Sequence, residues 1–513
     1  MQIQHEKDNP QNFVCKKKEV VKMSLIMQAG EQRLAPGNTN TLLSISGKNI
    51  CIDFGMAIGN KAAGEANYLS KMTELSTKLD LILLTHHHLD HSGGLPFIAK
   101  MNPNAIIAMT EPTGRGAEIM LKDSLKIHNN EQKAIIRAGG EAKQFFYNEE
   151  DISSLFKRSQ KIPKPGWYQI WPGWEFGFYS AGHTRGATMI IILPPDGLAY
   201  LVTGDISSHD QPLIKGVMLP PKEFFGDRLK NRKIIIITET TYGNRELKAP
   251  MANLRKEFRE WAKDRIEKRM PLLLPSFGDR GPGTLKDLTD IGIACHVDGM
   301  VREFCQMYQN YTWCPQDIKL ELDALIKNKL AIPYKKLGAE SAQEDRVGEE
   351  IHRHDTDLGN CCGMGKPSPI ISSSAMMDKG MSVVHAERIL PNRNAAVAFT
   401  GYVFPNSVGE QVLKVQKGGN VKMNTWDAKE RREITKNIPV SCEVAHFSLS
   451  GHDPADKLVE RIVRMHEEYC PVELVIGHHG DTDSYNGFER RIKAANLNIP
   501  AKRAVHLKEI QID

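Results

Sequence analysis

The sequence predicts an α/β protein of more than one domain, and three observations carry that prediction. At 513 residues the chain is too long for one small core. Short apolar runs of strand length recur along it, at 81–84, 198–203 and 234–237, each bounded by turn residues. Between them lie stretches of helical period. The clearest is 253–270, where Leu254, Phe258, Trp261, Ala262 and Ile266 share one face and Lys and Arg occupy the other. That basic face reads first as a solvated helix surface and only second as the lining of a channel for a polyanion.

Composition sets the outer limits. Hydrophobic residues at 41% and charged residues at 25% are ordinary globular values, so a large core is available. A net charge of +5 permits a polyanionic partner without requiring one. The nine cysteines are odd in number and scattered, with no Cys-x-x-Cys, and the adjacent Cys361 and Cys362 suit bridge geometry poorly. Reduced thiols in a cytoplasmic protein are the expectation. Residues 1–22 read as a polar lead-in containing Lys16, Lys17 and Lys18, without the apolar stretch of a signal peptide. No run approaches the ~18 apolar residues of a membrane span.

Taken in order, 40–46 and 49–55 alternate around a Gly-Lys turn and predict a β-hairpin that closes on Asp53. The apolar run 81–84 then leads into His86, His87, His88, Leu89, Asp90 and His91, followed by Ser-Gly-Gly. In an extended segment His86 and His88 fall on the same side. After the turn, Asp90 and His91 reach an adjacent point in space. The order His-x-His-x-Asp-His therefore suits two metal ions sharing one loop. A strand at 104–109 follows, and Glu111-Pro112-Thr113 opens a helix through Leu125. Residues 126–165 read as mixed and partly loop. His183 lies in a Gly-rich turn between two strands, the strand at 198–203 runs into Asp205, and the strand at 234–237 ends at Glu239. Later, Asp453 as N-cap and Pro454 as the first helical residue put His452 at a helix N-terminus, with His446 as a weaker competitor. The strand at 472–476 ends in His478-His479.

These motifs resemble the metallo-β-lactamase superfamily, whose signature is His-x-His-x-Asp-His after a strand. The resemblance implies an α/β fold, the metallo-β-lactamase αββα sandwich. It also implies a ligand set. His86, His88 and His183 would hold one metal, Asp90, His91 and His479 the other, and Asp205 would bridge them. Asp53 would orient the loop from behind. Alignment on Gly480 favours His479 over His478. The cations implied are two Zn²⁺, with Mn²⁺ or Fe as alternatives.

A narrower resemblance follows. The stretch Glu239-Thr240-Thr241-Tyr242-Gly243 is similar to the Glu-Ser-Thr-Tyr-Gly stretch of the β-CASP nucleases, of the RNase J and polyadenylation-factor cleavage-subunit type. Pro275-Ser276-Phe277 with Arg280, Asp298-Gly299, Ser372-Ser373-Ser374-Ala375-Met376 and Gly401-Tyr402 are similar to further motifs of that group. The chain departs from the pattern at Gly278-Asp279-Arg280, at Ala375 and at Ser407. The implied division is a lead-in at 1–22, a metallo-β-lactamase domain at 23–243 completed by 446–513, and an inserted β-CASP α/β domain at 244–445.

The function implied is a metal-dependent ribonuclease that hydrolyses phosphodiester bonds of single-stranded RNA, endo- or 5′→3′ exonucleolytically, through a metal-activated hydroxide. His452 and Glu239, with Asp90 as a further catalytic group, would carry the proton chemistry. Ser373, Ser374 and Arg280 would touch the substrate. A repair-type DNA nuclease, a non-catalytic RNA-processing subunit and a small-molecule hydrolase are the rival readings. No membrane partner is expected, and a homo-oligomer or an RNA-processing complex is compatible with the chain.

Overall fold

The protein is seen here as a computed structural model that describes residues 4–5, 23–28, 39–56, 78–137, 139–142, 145–195, 197–328, 330–333, 367–416, 418–427, 432–504 and 508–512. The lysine run at 16–18, the Cys361-Cys362 pair and most of the excursion at 315–366 fall outside them.

Two sheets pack face to face. One has seven strands in the order Lys508–Ile512, Met23–Gln28, Asn40–Ile45, Lys48–Phe54, Leu81–Leu84, Ile106–Thr110 and Gln160–Ile162. The other has eight, in the order Gln4–His5, Gly166–Gln169, Glu175–Ser180, Thr188–Leu193, Ala199–Val202, Ile234–Glu239, Val472–His478 and Ala501–Arg503. Side-chain alternation decides what lies between and outside them. Ile50, Ile52, Leu81 and Leu83 of one sheet share a core with Ile190, Ile192, Ile235 and Ile237 of the other. The alternate residues Cys51, Ile82 and Leu84 face Leu95, Ile98 and Leu121 of helices. Met189, Ile191, Ile234 and Ile236 face Leu458, Ile462 and Phe488 of helices on the far side. The result is helix, sheet, sheet, helix. A strand covered on both faces reads as a continuous apolar run, which is why Ile234–Ile237 carries no polar residue and is fully buried.

A third sheet has six strands, all parallel, in the order Ala331–Pro333, Cys295–Asp298, Ile370–Ser372, Leu272–Pro275, Ala396–Phe399 and Glu443–His446. Helices Met251–Glu267, Gly281–Thr289 and Met300–Asn310 cover one face, and Met381–Ile389 and Val408–Val415 the other. An antiparallel hairpin, Gly419–Asp427 with Arg432–Val440, packs beside it. The chain leaves the eight-stranded sheet after Ile234–Glu239 and returns to it as Val472–His478, which pairs in parallel with the strand it left.

Several expectations change. The stretch read as mixed after Leu125 continues as helix, Glu111–Arg137, because residues 126–137 contain no Gly or Pro to break it. A second helix, Glu149–Arg158, opens on a capping box between Asn148 and Asp151. The helix after His452 begins at Ala455 with Pro454 as its N-cap, so Asp453 does not cap it. Asp453 instead accepts from Ser208 and pairs with the buried Arg461. The basic face of Met251–Glu267 is partly committed: Arg255 binds Asp287 at 2.6 Å and Arg265 binds Glu443 at 2.9 Å.

Candidate metal centre

The sandwich strands that bring ligands to the centre end at one edge of it. Leu81–Leu84 delivers His86 and His88. The short helix Leu89–Ser92 carries Asp90 and His91. That helix is seated by Gly55, where a Cβ would stand 1.7 Å from the Asp90 carbonyl oxygen. Within the centre, two polar residues hold the left-handed backbone that ordinarily favours glycine, Asp53 at φ 60° and His479 at φ 53°. Such conformations persist where the surroundings over-determine them.

The ligand atoms fall into two sets. His86 Nε2 lies 3.1 Å from His88 Nδ1, which lies 3.3 Å from His183 Nε2. Asp205 Oδ2 stands 3.5 Å from His86 Nε2 and 3.6 Å from His183 Nε2. On the other side, Asp90 Oδ2 lies 3.0 Å from His479 Nε2, and His91 Nε2 lies 3.3 Å from Asp205 Oδ1. One oxygen of Asp205 thus faces each set. His91 Nε2 and Asp205 Oδ1 are buried without a hydrogen-bond partner among the described residues, a costly arrangement unless a cation satisfies both. Donor identity, spacing and these orphaned atoms all fit divalent metals bound by nitrogen and oxygen.

The nitrogens that face away from the two sets also have partners. His91 Nδ1 meets Asp53 at 2.7 Å, and the same carboxylate accepts from Thr85 N and Oγ1 at 2.7 Å each. His183 Nδ1 donates to the Gly451 carbonyl at 2.7 Å, His479 Nδ1 meets Thr241 Oγ1 at 2.9 Å, and His86 Nδ1 meets Thr85 Oγ1 at 3.2 Å. His88 Nε2 reaches Asp279 Oδ2 at 3.1 Å. In the sequence Asp279 stands only as a break in a motif. It comes from the turn after Leu272–Pro275, so the third sheet supplies one of the centre's orienting carboxylates. Burial pushes the Asp279 carboxyl up, but His88, His87 and Arg280 together hold it well below the usual range. His87, read as a spacer, is fully buried beside Phe304, with Asp279 3.8 Å from its Nε2. A polar residue in the middle of the motif was the available signal.

His452 packs against the centre, its ring 4.5 Å from that of His183. Its Nδ1 meets Glu239 Oε2 at 2.8 Å, while Glu239 Oε1 accepts from Ile206 N at 2.7 Å and Thr241 Oγ1 also donates to the carboxylate. Nε2 of His452 is left to face whatever binds. Burial disfavours its charged form, but Glu239, helped by Asp205, outweighs this and raises its pKa. His446, the rival, is exposed and bonded to the Gly401 carbonyl. His478 points away from both sets, buried without a hydrogen-bond partner and pushed down to about 3 by burial and by its neighbour His479.

The remaining three candidates lie at the margin. Arg280 donates to the His183 carbonyl at 3.0 Å and to Gln211 at 2.7 Å, bracing the turn behind the first set. Ser373 Oγ accepts from Met300 N at 3.0 Å, and Ser374 Oγ donates to the Lys379 carbonyl at 3.0 Å.

Two sheets back to back, with a paired His/Asp cluster at one edge, define a metallohydrolase scaffold, and a parallel α/β unit reaches over its mouth. Residues 35–189 match the metallo-beta-lactamase superfamily model and residues 285–412 the Beta-Casp domain model. The chain belongs to the β-CASP group of the metallo-β-lactamase superfamily. Asp205, Glu239, His452 and His479 lie outside both matched segments.

Among similar proteins, the Probable RNase MJ4 of Methanocaldococcus jannaschii is 25% identical over 406 residues, covering 79% of this chain and 82% of that protein. Endoribonuclease YSH1 of Candida albicans is 23% identical over 492 residues, covering 93% of this chain but 50% of its own length. Integrator complex subunit 11 of Danio rerio is 24% identical, with 86% and 67% covered. The chain thus spans about half the length of some curated relatives it matches. A crystallised protein of unknown function from Enterococcus faecalis V583 shares the fold at 12% identity, with a TM-score of 0.53 over 96% of this chain and all of that one.

Proposed function

We propose that this protein is a ribonuclease with a dinuclear zinc centre that hydrolyses phosphodiester bonds of single-stranded RNA. The observation that carries the reading is the approach of two ligand sets to opposite oxygens of Asp205, beside a His452–Glu239 pair that is no ligand to either. RNA-cleaving names among the relatives support the substrate class. His86, His88, His183 and Asp205 would hold one cation, and Asp90, His91, His479 and Asp205 the other. Bound there, the pair supplies positive charge against the scissile phosphate and lowers the pKa of a water in the site.

The chain's own residues do the rest. Asp205 sets the separation of the two positions. Asp53, Asp279 and Thr241 fix the orientation of the ligating rings. Glu239 fixes the His452 ring through Nδ1 and stabilises its charged form, so that Nε2 can protonate the leaving oxygen. The reading carries a division into 23–243 with 446–513 and an inserted 244–445, and a cytoplasmic location, as the odd number and scatter of the cysteines lead one to expect. The test is cleavage of matched 5′-labelled single-stranded RNA and DNA, with a metal count on the same sample. Two metals and RNA-selective cutting is the expected result. DNA-selective cutting would instead establish the repair-type reading.

Two further results are expected. Burial and neighbouring charge hold His86 and His183 well below the ordinary imidazole value. Burial works the same way on His91 and His479, but Asp205 with Asp53 or Asp90 overrules it, raising His91 and lifting His479 to about 9. A proton therefore competes harder for His91 and His479 than for His86 and His183. Metal titration against a chelator should show one site whose affinity rises more steeply than the other's as pH climbs toward 9. Two sites with the same pH slope would refute this. Asp279→Asn should weaken the first site about 10–100-fold, the usual effect of losing a ligand's orienting carboxylate. An unchanged metal affinity would remove Asp279 from the centre.

A further inference from the structure

Among the described residues, two aromatic side chains are exposed, Phe277 at 37% and Tyr402 at 38%. Exposed large apolar groups are unremarkable when scattered, but these two belong to one connected run of rings that ends at the catalytic histidine. Tyr242 lies 5.8 Å from His452 between ring centres. The guanidinium of Arg245 sits 5.0 Å from the Tyr242 ring and 5.9 Å from the Tyr402 ring. Tyr402 is 5.4 Å from Phe404, and Phe404 is 6.1 Å from Phe277. The residues come from three separate loops, after Ile234–Glu239, Leu272–Pro275 and Ala396–Phe399.

We propose that Phe277, Phe404 and Tyr402, with Arg245 and Tyr242, form a stacking track for unpaired bases of a single-stranded nucleic acid whose scissile phosphate lies at His452. The inference rests on the nuclease reading above and adds to it where the strand runs. Aromatic faces accept any base, because every base has a π-face, and they do so without reading sequence. Arg245 has no carboxylate partner among the described residues, so its charge is available to a phosphate while its plane stays against the rings. A purely apolar partner surface would have no use for a guanidinium threaded between two rings. A duplex would keep its bases stacked on one another and could not use the track.

The test measures binding in a His452→Ala background, so that the probe survives. The probes are a fluorescein-labelled ten-nucleotide single-stranded RNA and an abasic ribose-phosphate strand of the same length. Wild-type cleavage is followed in parallel. The RNA should bind more tightly than the abasic strand. Phe277→Ala and Tyr402→Ala should each weaken RNA binding about tenfold and leave abasic binding unchanged. Phe277→Trp and Tyr402→Phe should restore it. Because both side chains are exposed, metal content and thermal midpoint should not move.

Equal weakening for both strands, or none for either, overturns the track while leaving the nuclease reading intact. A protein that neither binds nor cleaves single-stranded RNA overturns the nuclease reading itself, and the track with it.

Discussion

Asp205→Ala should release both cations and reduce cleavage on the order of 10³-fold, the scale of losing a preorganised charge partner. No other residue belongs to both sets, with Oδ2 toward His86 and His183 and Oδ1 toward His91. Loss of any single histidine leaves one set whole, so its metal count should fall by one and not by two. The same substitution has a second signature in protein stripped by a chelator. Burial pushes the Asp205 carboxyl up, but His479, His91 and His86 hold it well below its ordinary value, and it in turn helps keep His479 protonated up to about 9.

The sign of the stability effect follows from that raised imidazole. A group whose folded pKa is raised contributes fully below its unfolded value, about 6.5, and loses the contribution as pH rises through about 9. Removing the carboxylate breaks a buried pair and should cost about 3 kcal/mol at pH 6, and less above pH 9. Chemical denaturation at the two pH values checks it. Full occupancy of both sites in Asp205→Ala would overturn the shared-ligand geometry.

The second large effect is expected at His452. His452→Ala should keep both metals and lose cleavage by about 10²–10⁴-fold, the usual contribution of a positioned acid. Its Nδ1 is committed to Glu239, and it stands outside the two sets, grouped instead with Glu239 and Asp205. Glu239→Gln is the finer probe. Burial disfavours the charged ring, and Glu239 is the main group that raises its pKa regardless. Without that charge the ring loses its proton at lower pH. Since the acid must be protonated to act, the alkaline limb of the pH–rate profile should shift downward, with metal content unchanged. A variant at position 452 that keeps full activity, or one that loses a metal, would take away its role as acid.

Much of the architecture was legible because it is local. Strands covered on both faces must be apolar throughout, so Ile234–Ile237 declared itself, and the hairpin at Asn40–Ile45 and Lys48–Phe54 followed from alternation around its turn. The first four ligand candidates sit within one short turn, where spacing alone says they can converge. The helix Glu111–Arg137 was cut short because an exposed helical end without an apolar face has weak periodicity. Asp453 looked like a cap because caps and buried ion-pair partners use the same residue types, and Arg461 lies a full two turns further on.

The sequence by itself determined the fold class, the metal motif and the family resemblance, because each is written in residues close together in the chain. Only the tertiary structure shows how distant groups meet, and it alone brings in Asp279. His479 meets Asp90 across 389 residues and Asp279 meets His88 across 191, and no local pattern reports such a pairing. A left-handed backbone at His479 turns that ring toward Asp90 while His478 stays in the strand, in the same sense as the alignment on Gly480. The physical reason is common to these cases: a buried nitrogen or carboxylate must be satisfied by whatever the packed chain brings within 3 Å or so, and packing brings together residues that the sequence keeps far apart.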